Sequence, residues 1–133
     1  PVNPTPPANN VLATPGAVFV NLQYGEAGPD LARAQAQGLT IHRPPGLDLM
    51  QDLEGVAALC RALDLVLGPP TATTNLAAAT GAETWIVSAN PNWPALGTAG
   101  SPWYPAVRAF QPEGTEAWAA RLEAVARALA KAS

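Results

Sequence analysis

Apolar and polar positions alternate along this chain in blocks that change period. Val18 to Tyr24 is a run of β-branched and aromatic residues broken only by Asn21 and Gln23, and Gly25 ends it, which predicts a buried strand. Pro29 to Gln37 is Ala-rich, with a proline suited to a first helical turn and Gly38 suited to a C-terminal cap, which predicts a short helix. Leu39 to His42 predicts a second strand, stopped by Arg43-Pro44-Pro45-Gly46, and Leu47-Asp48-Leu49 a very short third one. From Asp52, an expected N-cap, Leu53, Val56, Ala57, Cys60 and Leu63 recur at helical spacing. Asp64 to Gly68 reads as the next strand, broken by Pro69 and Pro70. A helix follows from Thr71 to about Thr80 and is closed by Gly81. Thr84 to Val87 and Val107 to Phe110 read as the last strands, on either side of a long loop over residues 88–105. Thr115 is the expected cap of a terminal helix that places Trp118, Leu122, Val125 and Leu129 on one face.

Strands that alternate with helices predict a parallel sheet covered on both faces. The continuous apolar runs Val18–Val20 and Leu65–Leu67 suit strands buried on both sides. The expected fold class is therefore α/β: a doubly wound, Rossmann-like, mostly parallel sheet of five to six strands in the order 3-2-1-4-5-6, the third vestigial. Residues 1–16 are rich in Pro and Asn and read as a linker or flexible arm, with 17–133 as a single domain.

Composition narrows the function more than it names it. A length of 133 residues suits one domain. The net charge of −3, with only seven Lys and Arg, gives no footprint for nucleic acid or an anionic membrane. No apolar run approaches the roughly 20 residues needed to span a bilayer. One cysteine, Cys60, excludes an internal disulfide, and one histidine, His42, excludes the common histidine metal clusters; no metal and no cofactor are expected. The chain opens at Pro1 with no signal-peptide pattern and reads as a piece of a longer cytoplasmic protein.

In an open parallel sheet the ligand crevice lies at the carboxyl ends of the strands where their order reverses. Gln23, Tyr24 and Gly25 are expected on one wall, and Gly68 to Asn75 on the other. The turn Thr71-Ala72-Thr73-Thr74-Asn75 carries free amides, hydroxyls and the positive end of a helix dipole, which is the chemistry of a phosphate cradle. The same threonines also suit a plain helix cap, and both readings stand. Asn90, Asn92 and Trp93 form a possible crevice wall, or else Trp93, Trp103 and Tyr104 merely seal the sheet end. No P-loop and no G-x-G-x-x-G motif is present, which argues against an NTPase and a standard dinucleotide dehydrogenase. His42 reads as a strand-end residue and Cys60 as core. Asp48 and Asp52 suit helix capping or a ribose hydroxyl, and Glu26 and Asp30 form no catalytic pair.

The stretch from Val18 to Trp118 resembles the C-terminal, donor-binding half of GT-B glycosyltransferases. It is most similar to the bacterial type fused to tetratricopeptide repeats, a relative of heptosyltransferases and O-GlcNAc transferases. The resemblance is carried by Val20 to Gly25, Leu63 to Gly68, Thr71 to Gly81, Thr84 to Val87 and Pro102-Trp103-Tyr104-Pro105. It implies a nucleotide-sugar donor whose diphosphate sits on Thr71–Thr74, with Gln23 facing the same phosphates and the Asn90–Trp93 loop at the crevice mouth. It also implies an N-terminal half that supplies the catalytic base, and a protein or glycan acceptor. On this reading the catalytic residues are unknown, and the 133 residues alone turn over no sugar. Where such proteins often carry Asp-Thr and His, this chain has Pro70-Thr71 and Asn75, and Asn75 does not titrate near neutral pH. That departure sustains two alternatives: a non-catalytic binding or interaction module with a degenerate donor site, and an α/β domain kept as a scaffold.

Overall fold

A computed structural model describes residues 7–89, 101–111 and 118–132. The described residues are mixed α/β, with five helices and five short strands in two parallel sheets. They form two compact units, one from residues 1–46 with 117–133 and one from 47–116.

In the first unit, helix α1 (Pro7–Leu12) lies within the stretch expected as an arm. Val11 is buried, and the buried Thr14 hydroxyl donates to its carbonyl at 2.7 Å, which closes the helix. Strand β1 (Phe19–Val20), helix α2 (Gly28–Ala36) and strand β2 (Ile41–His42) make a β-α-β unit whose strands pair in parallel, Phe19 opposite Ile41 and Val20 opposite His42. Helix α5 (Trp118–Ala132) packs against α1. Its buried stripe is Arg121, Val125 and Leu129, at a spacing of four residues. Of the expected stripe of Trp118, Leu122, Val125 and Leu129, only Val125 and Leu129 are buried; Leu122 is half-buried, Trp118 is 43% exposed, and the guanidinium of the buried Arg121 lies 5.5 Å from the Trp118 ring centroid.

In the second unit, helix α3 (Leu53–Ala62) starts where Asp52 was expected to cap it: its carboxylate accepts from the Gly55 amide at 2.8 Å. Strand β3 (Val66–Gly68), helix α4 (Ala72–Ala79), strand β4 (Thr84–Val87) and strand β5 (Val107–Phe110) follow. The strand order is β3-β4-β5, all parallel, with Val66 opposite Thr84 and Thr84 opposite Val107. All four residues of β4 are buried, as a central strand requires. Ala78 of α4 packs with Ile86, Val107 and Tyr104 on one side of the sheet. Gly81, at φ 80°, ends α4 in a conformation that favours glycine, and Ala82 N–H then bonds back to the Ala77 carbonyl.

Two expectations on the sheet are corrected. The described strands do not form one doubly wound sheet of five to six strands; they form a two-stranded and a three-stranded sheet. The first strand stops after Val20 because the Asn21 side chain folds back on its own backbone. Its Nδ2 donates to the Gln23 carbonyl at 3.1 Å, and its Oδ1 accepts from the Gln23 amide at 3.3 Å. Leu47–Leu49 is a turn rather than a vestigial strand, because Asp48 Oδ1 accepts from the Met50 and Gln51 amides at 2.9 and 3.0 Å.

Cys60 has no exposed surface on α3, and burial pushes its thiol pKa up. A thiol reagent at neutral pH is therefore expected to label the native chain slowly and the urea-unfolded chain fast. Equal rates would show that this helix face is open. Because the folded pKa is the higher one, the thiol's contribution to stability is complete below the unfolded pKa. It is lost as pH rises through the folded one.

Candidate functional site

The turn from β3 into α4 sits at the carboxyl end of three parallel strands. Pro69 and Pro70 end the strand, and Thr71 takes an extended conformation as the N-cap of α4. A capping box closes the turn. Thr74 Oγ1 accepts from the Thr71 amide at 2.9 Å and lies 2.8 Å from the Pro69 carbonyl, to which its proton is donated. In return, the Thr74 amide reaches Thr71 Oγ1 only at 3.5 Å, so Thr74 forms the tighter half of the box. The Asn75 side chain donates to the Thr71 carbonyl at 2.8 Å. Gly68 lets this helix come close to the strand: a Cβ there would stand 3.1 Å from Thr74 Cγ2.

These bonds divide the expected phosphate cradle. Thr71, Thr74 and Asn75 bond within the turn, so their side chains act there as caps. What remains without a hydrogen-bond partner among the described residues is the pair of amides of Ala72 and Thr73 and the Thr73 hydroxyl. Ala72 is exposed and Thr73 half-buried. Two adjacent N–H groups at a helix start, backed by the helix dipole, suit one anionic oxygen pair.

Gln23, Tyr24 and Gly25 follow β1 in the first unit and are exposed, Tyr24 to 44%. Gly25 turns the chain at φ 81°, and its carbonyl accepts from the Ala27 amide at 3.0 Å. Asn90, Asn92 and Trp93 lie outside the described residues. His42 is exposed at the end of β2, and Asp48 and Asp52 cap backbone amides. Among the described residues, no group of three or more His, Cys, Asp or Glu is placed to hold a metal ion. No described helix is long and apolar enough to cross a membrane.

Two features escaped the sequence. On β4 and β5, Trp85 and Phe110 pair with ring centroids 5.4 Å apart, and the Arg108 guanidinium lies 5.1 and 4.6 Å from the two centroids. The Trp85 indole N–H donates to Glu83 Oε1 at 3.1 Å. Just past β5, the Gln111 Nε2 is buried and has no hydrogen-bond partner among the described residues. Alternation along β4 and β5 would have aligned Trp85, Arg108 and Phe110 once their register was known. No sequence signal marks Gln111.

Comparison with known proteins overturns the glycosyltransferase resemblance. The chain is similar to the protein FlbA of Caulobacter vibrioides, 48% identical over 120 residues. That match takes in 90% of this chain but only 20% of FlbA, so the chain spans about a fifth of the length of the curated relative it matches. No family model matches the chain. No solved structure matches it either. Part of the run that suggested the resemblance serves the helix's own start. The capping box at Thr71 and Thr74 shows this directly.

Proposed function

We propose that this chain is a ligand-binding α/β domain that holds the phosphate groups of a nucleoside diphosphate or nucleotide sugar on the Ala72 and Thr73 amides. The observation that carries the reading is the pair of unbonded amides, with the Thr73 hydroxyl beside them, at the carboxyl edge of a parallel sheet. The reading needs only the three parallel strands β3, β4 and β5, not a single doubly wound sheet. The cytoplasm is its proposed setting.

The test is a ¹⁵N-resolved titration of the chain at low salt with pyrophosphate, UDP, GDP, ADP and CMP. Ala72 and Thr73 amide signals are expected to shift first and furthest, with at least one diphosphate. Silence at those two amides with every probe overturns the reading.

A second reading, an interaction module without a small ligand, has its own observation. Met50 and Leu53 are each 62% exposed, three residues apart at the start of α3. It expects no nucleotide shift and an unchanged cellular role when Thr73 becomes Val in the full-length protein.

A further inference from the structure

Among the described residues the three-stranded sheet ends on β5. The Thr84 and Ser88 amides donate to the Ala106 and Phe110 carbonyls at 3.2 and 3.1 Å, so Ala106, Arg108 and Phe110 turn their backbone groups toward β4. Val107 and Ala109 turn theirs away. The Val107 amide donates to the Tyr104 carbonyl at 3.1 Å. The Val107 carbonyl, and both the amide and the carbonyl of Ala109, have no hydrogen-bond partner among the described residues. Such a row is a template for one more strand.

Arg108 stands beside that edge. Alternation puts it with Trp85 and Phe110 on the face of the sheet opposite α4, since Ile86 and Val107 pack on Ala78. Its guanidinium is held 5.1 and 4.6 Å from the Trp85 and Phe110 centroids, yet the residue is exposed. It makes no hydrogen bond or ion pair among the described residues. Glu83, in the same cluster, accepts from the Trp85 indole instead. A guanidinium stacked on rings is already oriented and keeps its in-plane N–H donors for a carboxylate, which it can meet in a bidentate pair.

We propose that the outer edge of β5 is a docking site for an extended peptide segment of a partner protein, paired to Ala109 through its backbone and carrying an acidic side chain that ion-pairs with Arg108. Backbone pairing supplies binding without regard to sequence, and the side chain beside Arg108 sets the choice. The same cation argues against a second copy of this chain as the occupant. Two β5 strands paired antiparallel about Arg108, the register that uses the free groups of Val107 and Ala109, would set Arg108 opposite Arg108. Like charges that face each other across strands are destabilising. The inference needs neither the Ala72 and Thr73 amides nor a nucleotide.

The test is a ¹⁵N-resolved titration of the chain at low salt with a short valine–threonine peptide, blocked at both ends, that carries one central glutamate. Two control peptides carry glutamine or lysine in its place. The Ala109 amide and the Arg108 side-chain Nε–H signals are expected to shift most, with the glutamate peptide binding about threefold more tightly than the glutamine one. The chain as a whole has a net charge of −3, so a surface without a local selector favours the lysine peptide. Arg108→Met keeps the backbone edge and is expected to bind the glutamate and glutamine peptides equally, with the Ala109 shift retained. An Ala109 amide that stays still with all three peptides overturns the docking site. A lysine peptide that binds as well as the glutamate one, or a glutamate preference that survives in Arg108→Met, overturns the pairing with Arg108. An Ala109 signal that moves with the concentration of the chain alone makes a second copy the occupant and overturns the proposal. Should the methionine variant not fold, the wild-type Arg108 Nε–H signal decides. It is expected to move with the glutamate peptide and not with the lysine one, and a signal that stays still with both overturns the proposal.

Discussion

Trp85→Ala is expected to lower the stability of the fold by about 3–5 kcal/mol, the range for deleting a buried tryptophan. Trp85 is 4% exposed in the middle strand of its sheet, between Leu67 of β3 and Arg108 of β5. The substitution removes the contact with Phe110, the support for the Arg108 guanidinium and the donor to Glu83 in one step. Against a total stability of about 5–15 kcal/mol typical of small domains, the loss is between about a fifth and all of it. Arg108→Met is the graded control. Arg108 is exposed, and its interaction with the rings is worth about 0.5–1 kcal/mol. Urea unfolding followed by circular dichroism checks both. A Trp85→Ala chain that loses less than Arg108→Met would mean that this aromatic cluster does not organise the sheet.

The strand that holds Trp85 was legible from the sequence because everything it needs is local. Thr84 to Val87 is apolar or β-branched at each position, and the structure buries each of them. The helix at Asp52 was legible for a similar reason: its cap and its stripe of Val56 and Cys60 lie within three turns of chain. What failed was pairing between distant segments and competition by polar side chains. Val18 to Tyr24 has the composition of a long strand, yet the Asn21 carboxamide takes the Gln23 backbone for itself and cuts the strand to Phe19–Val20. Asp48 does the same to the expected third strand. No local pattern reports whether two such strands join the same ladder.

The candidate site was half legible. The turn at Thr71–Asn75 stood out as either a cap or a cradle, and the structure assigns the roles residue by residue. Threonine side chains suit both uses, because one hydroxyl donates and accepts with little preference between backbone and ligand. Only geometry separates Thr74, whose hydroxyl is held by Thr71 and Pro69, from Thr73, whose hydroxyl is not held. Gln111 lay outside the reading altogether. A glutamine at the end of a strand is unremarked in a sequence until its nitrogen is found buried and, among the described residues, unpaired.

That division makes Thr74→Val and Thr73→Val sharply different experiments. Thr74 is 3% exposed, and valine keeps its shape and the methyl that faces Gly68. The substitution leaves the Thr71 amide and the Pro69 carbonyl without the hydroxyl that pairs both. Loss of a cap alone costs about 0.5–2 kcal/mol. A part-buried donor left unpaired adds to that, so the expected loss is about 2–3 kcal/mol. Thr73→Val breaks no hydrogen bond among the described residues and is expected to stay within about 0.5 kcal/mol of the parent chain. Urea midpoints measured side by side check the pair, and equal losses would contradict the capping box. The binding consequences run the other way. Thr73→Val removes a hydroxyl that has no hydrogen-bond partner among the described residues and is expected to weaken diphosphate binding. Thr74→Val, wherever it is still folded, is expected to keep the shifts at the Ala72 and Thr73 amides. A Thr74→Val chain that is folded yet silent at those amides would make the cap and the ligand site a single device, in which the Thr74 hydroxyl holds the turn in the one shape that presents both amides.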